Sequence, residues 1–210
     1  MEQTKSVVLI DYGAGNIRNV EKALEAVGVA TVRTSEPAVV DEADVIVMPG
    51  VGAFGDMMAA LRQRGLVEPI VANAKAGKPL LGICVGLQVL FEVGLEMGEH
   101  AGLGLFPGQV KRFEVGELKV PHIGWNQVHQ QVAHPIFEGI DTGDYAYFVH
   151  SYHPVPTDSS LIMATTDYGI DFPSICGRDN VIGIQFHPEK SQRMGLTMLS
   201  NFARWAGVLG

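Results

Sequence analysis

The sequence lacks the features that mark membrane proteins, nucleic-acid-binding proteins and disulfide-stabilised secreted proteins. No apolar run approaches the roughly 20 residues that a membrane helix needs. Acidic residues outnumber lysine and arginine by 23 to 15, and the net charge of −8 leaves no basic surface for nucleic acid or an anionic membrane. The two cysteines, Cys84 and Cys176, cannot build a disulfide framework, so we expect a reducing, cytoplasmic location.

Several common motifs are also missing. Residues 1–6 lead directly into a strand-like run, without the long apolar core and cleavage site of a signal peptide. The segment at residues 13–18 begins like a dinucleotide-binding fingerprint, but Arg18 stands where the third glycine belongs. His150 and His153 lack the further cysteine, histidine or aspartate ligands of a zinc site. We therefore predict no metal and no cofactor.

The first ninety residues alternate between strand and helix patterns. Continuous apolar strands in such an alternation indicate a parallel sheet that is covered on both faces. The predicted strands are Val7–Ile10, Val29–Arg33, Val45–Met48 and the run ending at Cys84; the predicted helices are Asn16–Val27, Met57–Leu61 and Val67–Ala76.

After about residue 105 the predicted strands are short and separated by turn residues. They lie at residues 110–115, 127–132, 145–149, 161–166, 174–177 and 181–186, and a helix at 192–205 follows them. We predict an α/β fold with an open, mostly parallel central sheet, helices on both faces and an antiparallel extension in the second half. With 210 residues and no visible linker, the chain is expected to form one domain over residues 1–210.

Cys84 has the surroundings of a catalytic nucleophile. It is flanked two residues away on each side by Gly82 and Gly86, between an apolar run and a helix-like stretch at Leu87–Phe91. A strand-to-helix turn of this kind is a nucleophile elbow, in which glycine permits the tight backbone and the helix N-terminus favours a thiolate.

His187 and Glu189 supply the base and the orienting group that a cysteine nucleophile needs. They follow a predicted strand, and residues i and i+2 of an extended segment point to the same side. Pro188 restrains the backbone between them. We predict that His187 and Glu189 lie together at the strand ends, where open α/β sheets bind ligands.

A glycine-rich loop at residues 49–55 follows another predicted strand. Its backbone N–H groups, together with that of Val85, could stabilise the oxyanion of an acyl-transfer reaction. Each of the three patterns alone is common, since most buried cysteines are inert and most His-Pro-Glu segments are surface turns. Their joint occurrence at strand ends favours a catalytic site.

The same three regions resemble the class I (triad) glutamine amidotransferases. The matching segments are PLLGICVGLQVLF around Cys84, IQFHPEKS around His187 and PGVGAFGD around Gly50. Within that family, three further segments resemble the glutaminase subunits of imidazole glycerol phosphate synthases: VVLIDYGAGNIRNVEKAL at 7–24, PHIGWNQV at 121–128 and YFVHSYH at 147–153.

The resemblance implies a flavodoxin-like fold and hydrolysis of glutamine through a thioester on Cys84, with His187 and Glu189 completing the triad. It implies an oxyanion hole formed by Val51, Gly52 and Val85, in which the Val51 peptide can turn away until a partner is loaded. It also assigns substrate binding to Gly50, Gln88, His150, Ser151 and Tyr152.

The implied partner is a (β/α)₈ cyclase subunit that receives the ammonia for histidine biosynthesis. The resemblance places Asn16, Asn19, His122, Trp125 and Lys190 at the interface of this heterodimer. For Trp125 core packing, and for Lys190 a solvated surface position, remain the alternatives.

Three other functions fit parts of the pattern. A class I glutaminase subunit could feed another synthase, such as pyridoxal 5'-phosphate synthase. A cysteine peptidase of similar topology would not need the His150-Ser151-Tyr152 segment or the Gly50–Gly52 loop. A binding module with a degenerate site would not need an intact triad.

Overall fold

The structure is a computed structural model that describes residues 5–13 and 16–210. Its first half alternates between strands and helices, as the sequence predicts. The elements are β1 Val7–Ile10, α1 Ile17–Ala26, β2 Val32–Thr34, α2 Pro37–Asp41, β3 Val45–Gly50, α3 Phe54–Gln63, α4 Val67–Lys75, β4 Leu80–Cys84 and α5 Val85–Gln88.

The second half consists mainly of strands and ends in a long helix. Its strands are β5 Phe91–Gly94, β6 His100–Ala101, β7 Phe106–Arg112, β8 His122–Gln130, β9 Asp144–His150, β10 Tyr152–Pro156, β11 Ile162–Asp167, β12 Asp171–Arg178 and β13 Val181–Ile184. The final helix is α6 Gln192–Trp205, and short 3₁₀ turns lie at Pro135–Phe137, Ser159–Leu161 and Pro188–Lys190.

Nine strands form the main sheet in the order β2-β1-β3-β4-β13-β12-β11-β8-β9. The pairs from β2 to β13 are parallel, and the pairs from β13 to β9 are antiparallel. Every residue of β1, β3, β4 and β13 is buried, which explains why these strands are continuous apolar runs. The predicted α/β fold with an antiparallel extension is confirmed.

A second sheet, in the order β10-β7-β5-β6, was not predicted. The prediction that residues 110–115 extend the first sheet is therefore wrong. The helix-like stretch predicted at Leu87–Phe91 is helical only as far as Gln88, where α5 ends; its far end is wrong, because Phe91 begins β5 and pairs with Phe106 in β7. Their rings are buried in edge-to-face contact, 5.6 Å apart, so tertiary pairing overrides the local helical pattern.

The helices bury apolar stripes against the rest of the fold. In α1 the buried residues are Ile17, Val20, Ala23 and Leu24, which recur at helical spacing. Helix α6 has the predicted bounds and buries Met194, Met198, Leu199 and Phe202 in the same way. Among the described residues, no helix is both long enough and apolar enough to span a membrane.

Candidate active site

Strand β4 and helix α5 meet at a sharp turn that carries Cys84. The backbone of Cys84 has φ 58° and ψ −112°, a strained conformation that non-glycine residues rarely adopt. The flanking glycines are required by close packing: a Cβ on Gly86 would collide with the Met48 carbonyl oxygen, and one on Gly82 would collide with the Gly86 carbonyl. These are the features of a nucleophile elbow.

His187 lies just beyond β13, the strand that pairs with β4. The register places Ile184 beside Ile83, so the ends of the two strands bring His187 and Cys84 to the same cavity. The imidazole Nδ1 is 2.8 Å from Glu189 Oε1, and both side chains are almost completely buried. The structure thus brings all three predicted catalytic residues together.

The charge state of His187 depends on its two neighbours. Burial lowers the pKa of His187, but its interactions with Cys84 and Glu189 outweigh that effect and raise the pKa to about 9. His187 is therefore an imidazolium at neutral pH, the form that pairs with a thiolate and can protonate a leaving group. By contrast, burial raises the pKa of the Cys176 thiol, which is completely buried and lies in β12.

Asn16 approaches the triad from the start of α1. Its Nδ2 donates to Glu189 Oε1, the oxygen that also accepts from His187. The resemblance implies that Asn16 lies at a partner surface, whereas in the structure its side chain is only partly exposed and contacts the orienting carboxylate. Asn19 is exposed and donates to Asn16 Oδ1.

The predicted oxyanion residues Val51, Gly52 and Val85 line the cavity beside Cys84. The Val51 N–H donates to the Tyr12 hydroxyl at 3.0 Å, and that hydroxyl lies 3.3 Å from the Val51 carbonyl oxygen. In this structure the Val51 N–H is therefore directed at Tyr12. Burial raises the pKa of Tyr12, so its hydroxyl keeps its proton at neutral pH.

The cavity has a volume of about 400 Å³. Four of the predicted substrate-binding residues line it: Gln88, His150, Ser151 and Tyr152. Gly50 does not line it; a Cβ there would meet the Gly86 nitrogen, so its role is the close packing of β3 against the elbow. Glu96, Pro121, Val149 and Lys190 complete the wall.

Of the other predicted interface residues, Trp125 is 47% exposed and Lys190 is exposed, but His122 is only 3% exposed. The His122 side chain packs inward, stacked on Phe148 and Tyr168, and so is not presented to a partner in this structure.

Two residues near the site were missed from the sequence. Gln185 is completely buried, and its Nε2 lies 3.9 Å from the Cys84 sulfur. The signal was available, because Gln185 precedes His187 by two residues and so points to the same side. Tyr12 follows β1, which neighbours β3, but nothing in its local sequence indicates its contact with Val51. Within residues 5–13 and 16–210, no cluster of three potential metal ligands occurs.

Comparison with known proteins agrees with this geometry. The family described as "Glutamine amidotransferase class-I" matches residues 8–205. The imidazole glycerol phosphate synthase subunit HisH of Syntrophotalea carbinolica is 54% identical over 202 residues, covering 93% of this chain and 98% of that protein. HisH of Aquifex aeolicus is 54% identical over 203 residues, covering 96% and 98%.

Solved structures with lower sequence identity share the fold. A crystal structure of a glutamine amidotransferase aligns with a TM-score of 0.76 at 19% identity, covering 97% of this chain and 100% of that one. The structure of PurLQS from Thermotoga maritima aligns with a TM-score of 0.76 at 18% identity, covering 97% and 99%. Because the family match spans nearly the whole chain and includes the nucleophile, base and orienting carboxylate, this chain belongs to the class I glutamine amidotransferases.

Proposed function

We propose that this chain is the glutaminase subunit of an imidazole glycerol phosphate synthase. It hydrolyses glutamine to glutamate and ammonia and passes the ammonia to a cyclase subunit in histidine biosynthesis. The observation that carries the proposal is a complete Cys84–His187–Glu189 arrangement in a chain 54% identical to HisH over 93% of its length.

The residues of the site divide the reaction between them. The Cys84 thiolate attacks the carboxamide carbon of glutamine, and the oxyanion forms beside the Val85 N–H and the Val51–Gly52 loop. The His187 imidazolium gives its proton to the departing nitrogen, and ammonia leaves behind a glutamyl thioester. Water then attacks the thioester while His187 accepts its proton, which releases glutamate and regenerates the thiolate. Glu189 holds the imidazole in orientation throughout.

The oxyanion hole is incomplete in this structure, because the Val51 N–H donates to Tyr12 rather than into the cavity. Losing one oxyanion donor costs about 3–4 kcal/mol of transition-state stabilisation. The isolated chain is therefore proposed to be a poor glutaminase that a loaded partner activates.

The proposed partner surface lies at the β8–β9 edge of the main sheet and beside the mouth of the cavity. Ile123, Trp125 and Tyr145 are 59%, 47% and 56% exposed there, a group of large apolar side chains of the kind found in protein interfaces. Lys190 lies above the Tyr147 ring, 5.8 Å from its centre, and also lines the cavity.

We place the chain in the cytoplasm, since Cys84 and Cys176 are both free thiols. We also propose that it forms one domain, because the family match covers residues 8–205.

Glutaminase assays with and without a cyclase subunit test this function. We expect slow glutamine hydrolysis by the isolated chain and strong stimulation by the cyclase subunit with its nucleotide ligand. Fast hydrolysis without a partner, or stimulation only by a pyridoxal-phosphate synthase subunit, would contradict the proposal. Cys84→Ser should abolish glutamine-dependent synthesis by the complex and leave ammonia-dependent synthesis intact; loss of both activities would instead assign Cys84 a structural role.

A further inference from the structure

A continuous series of hydrogen bonds connects the Cys84 sulfur with strand β8 through residues that do not belong to the triad. We call it the polar chain. Its members are Asn126, His122, His150, the carbonyl of Tyr152, Gln88 and Gln185. His122, His150, Gln88 and Gln185 are all buried, so each hydrogen bond matters for the placement of its neighbours.

The donor and acceptor roles along the polar chain are fixed from its β8 end. Asn126 Oδ1 accepts from the Gln127 N–H, and Asn126 Nδ2 donates to the Asp167 carbonyl, so the nitrogen of this amide faces His122. His122 Nε2, 3.3 Å away, must accept. His122 Nδ1 then carries the hydrogen of the neutral ring and donates to His150 Nε2, also at 3.3 Å.

The contact of His150 with the Tyr152 carbonyl, at the other end of the imidazole pair, requires the same donor and acceptor roles. His150 Nδ1 lies 2.8 Å from the Tyr152 carbonyl oxygen, which can only accept. His150 therefore carries its hydrogen on Nδ1 and accepts at Nε2, in agreement with the assignment from Asn126. Burial lowers the pKa of His122 to about 4 and of His150 to about 3, so both rings stay neutral and keep these tautomers at physiological pH.

The chain also fixes the orientation of Gln88. Its Nε2 lies 3.0 Å from the Tyr152 carbonyl and 3.1 Å from Gln185 Oε1, so both hydrogens of its amide are used within the protein. Gln185 can only present its oxygen there, because its own Nε2 donates toward the Cys84 sulfur. The Gln88 carbonyl oxygen is the group left to face the cavity, which Gln88 lines one helical turn after Cys84.

We propose that Gln185 and His122 are positioning residues that hold the Gln88 carbonyl oxygen toward the cavity as an acceptor for an N–H group of the substrate. The inference rests on the proposed function, because it concerns the same cavity and the same substrate. Neither residue needs to touch glutamine: Gln185 restrains Gln88 directly, and His122 restrains it through His150 and the Tyr152 carbonyl.

Binding of glutamine to the isolated chain tests the proposal without a partner subunit. Iodoacetamide alkylates Cys84, and bound glutamine should slow the alkylation, so the concentration for half-protection measures affinity. Gln185→Met keeps the volume of the side chain but removes both its hydrogen bonds. We expect it to need about three- to tenfold more glutamine, the effect of losing the one hydrogen bond between the Gln88 oxygen and the substrate. Ser174→Ala is the matched control, since Ser174 is buried on β12 and its Oγ has no hydrogen-bond partner among the described residues.

Two variants of His122 test the second positioning residue: one removes its hydrogen bonds and the other retains them. His122→Phe keeps the stacking on Phe148 and Tyr168 but loses both hydrogen bonds, and we expect it to weaken protection by glutamine. His122→Gln can still accept and donate, and we expect it to restore protection toward the wild-type concentration. In assays with the cyclase subunit, Gln185→Met should raise KM for glutamine more than it lowers kcat. Melting temperatures identify any variant that fails to fold.

Unchanged half-protection in both Gln185→Met and His122→Phe, each folded, would overturn the inference. A loss confined to kcat would also overturn it, since Gln185 would then act on the nucleophile alone. Failure of the proposed function looks different: wild-type Cys84 would gain no protection from glutamine at any concentration.

Discussion

At the scale of single residues, the charge on His187 decides when the site can turn over. Its pKa of about 9 means that the imidazolium, which protonates the departing ammonia, is lost as the pH rises through that value. We therefore expect kcat/KM for glutamine hydrolysis to fall on the alkaline side near pH 9.

Glu189→Gln tests the origin of that limit. The neutral amide can still accept from His187 Nδ1 through its carbonyl oxygen, but the negative charge that raises the pKa of His187 is gone. The alkaline limb should move to lower pH, and kcat at neutral pH should fall about 100-fold. A pH–rate profile of the complex measures both effects, and an alkaline limb that stays in place would show that Glu189 does not tune His187.

Tyr12 is the residue that decides where the Val51 N–H points. Tyr12→Phe removes the acceptor while keeping the ring, which frees this N–H for the oxyanion hole. We expect partner-independent glutaminase activity to rise about fivefold, the effect of one hydrogen bond of about 1 kcal/mol on a conformational equilibrium. Tyr168→Phe is the control, because it also removes one hydroxyl-to-carbonyl hydrogen bond, to Lys119, outside the oxyanion loop. An unchanged or lower basal rate in Tyr12→Phe would refute this role.

At the scale of elements, the sequence predicts best those helices and strands whose burial repeats with a local period. Helix α6 has its predicted bounds because its buried stripe recurs every three to four residues. Strands β5 and β10 are not predicted because both form by pairing with β7, and no local pattern shows which segments pair with that strand. His187 and Glu189 meet as predicted, but not through an extended segment: His187 is extended, and Pro188 begins the 3₁₀ turn Pro188–Lys190, which brings the Glu189 carboxylate to the imidazole.

At the same scale, we predict that the β8–β9 edge of the main sheet binds the cyclase subunit. Trp125→Ala should weaken binding of the cyclase subunit about 30-fold or more, because exposed tryptophans near the centre of an interface often contribute 2 kcal/mol or more. Isothermal titration with the purified subunit measures the change. Val32→Ala is the matched control: Val32 is a large exposed apolar residue, 51% exposed, in β2 at the opposite edge of the same sheet. Equal affinities for both variants would place the interface elsewhere.

At the scale of the whole molecule, the site exists because two distant strands are neighbours. The sequence indicates that Cys84 and His187 each follow a buried strand, but not that β4 and β13 pair. That adjacency depends on the order of the entire main sheet, in which four antiparallel strands follow β13 toward the β9 edge. Local patterns therefore predict which side chains of each segment can take part in catalysis. Only the completed sheet determines the distance between Cys84 and His187.

The position of β13 in the sheet also has a consequence for the order in which the protein becomes active during its synthesis. Strand β4 and its elbow leave the ribosome about 100 residues before β13. Until then β4 is an unpaired edge of the nascent parallel sheet, a surface prone to aggregation. The same delay leaves Cys84 without its base, so the nascent chain carries an ordinary thiol and acquires a reactive one only when its fold closes.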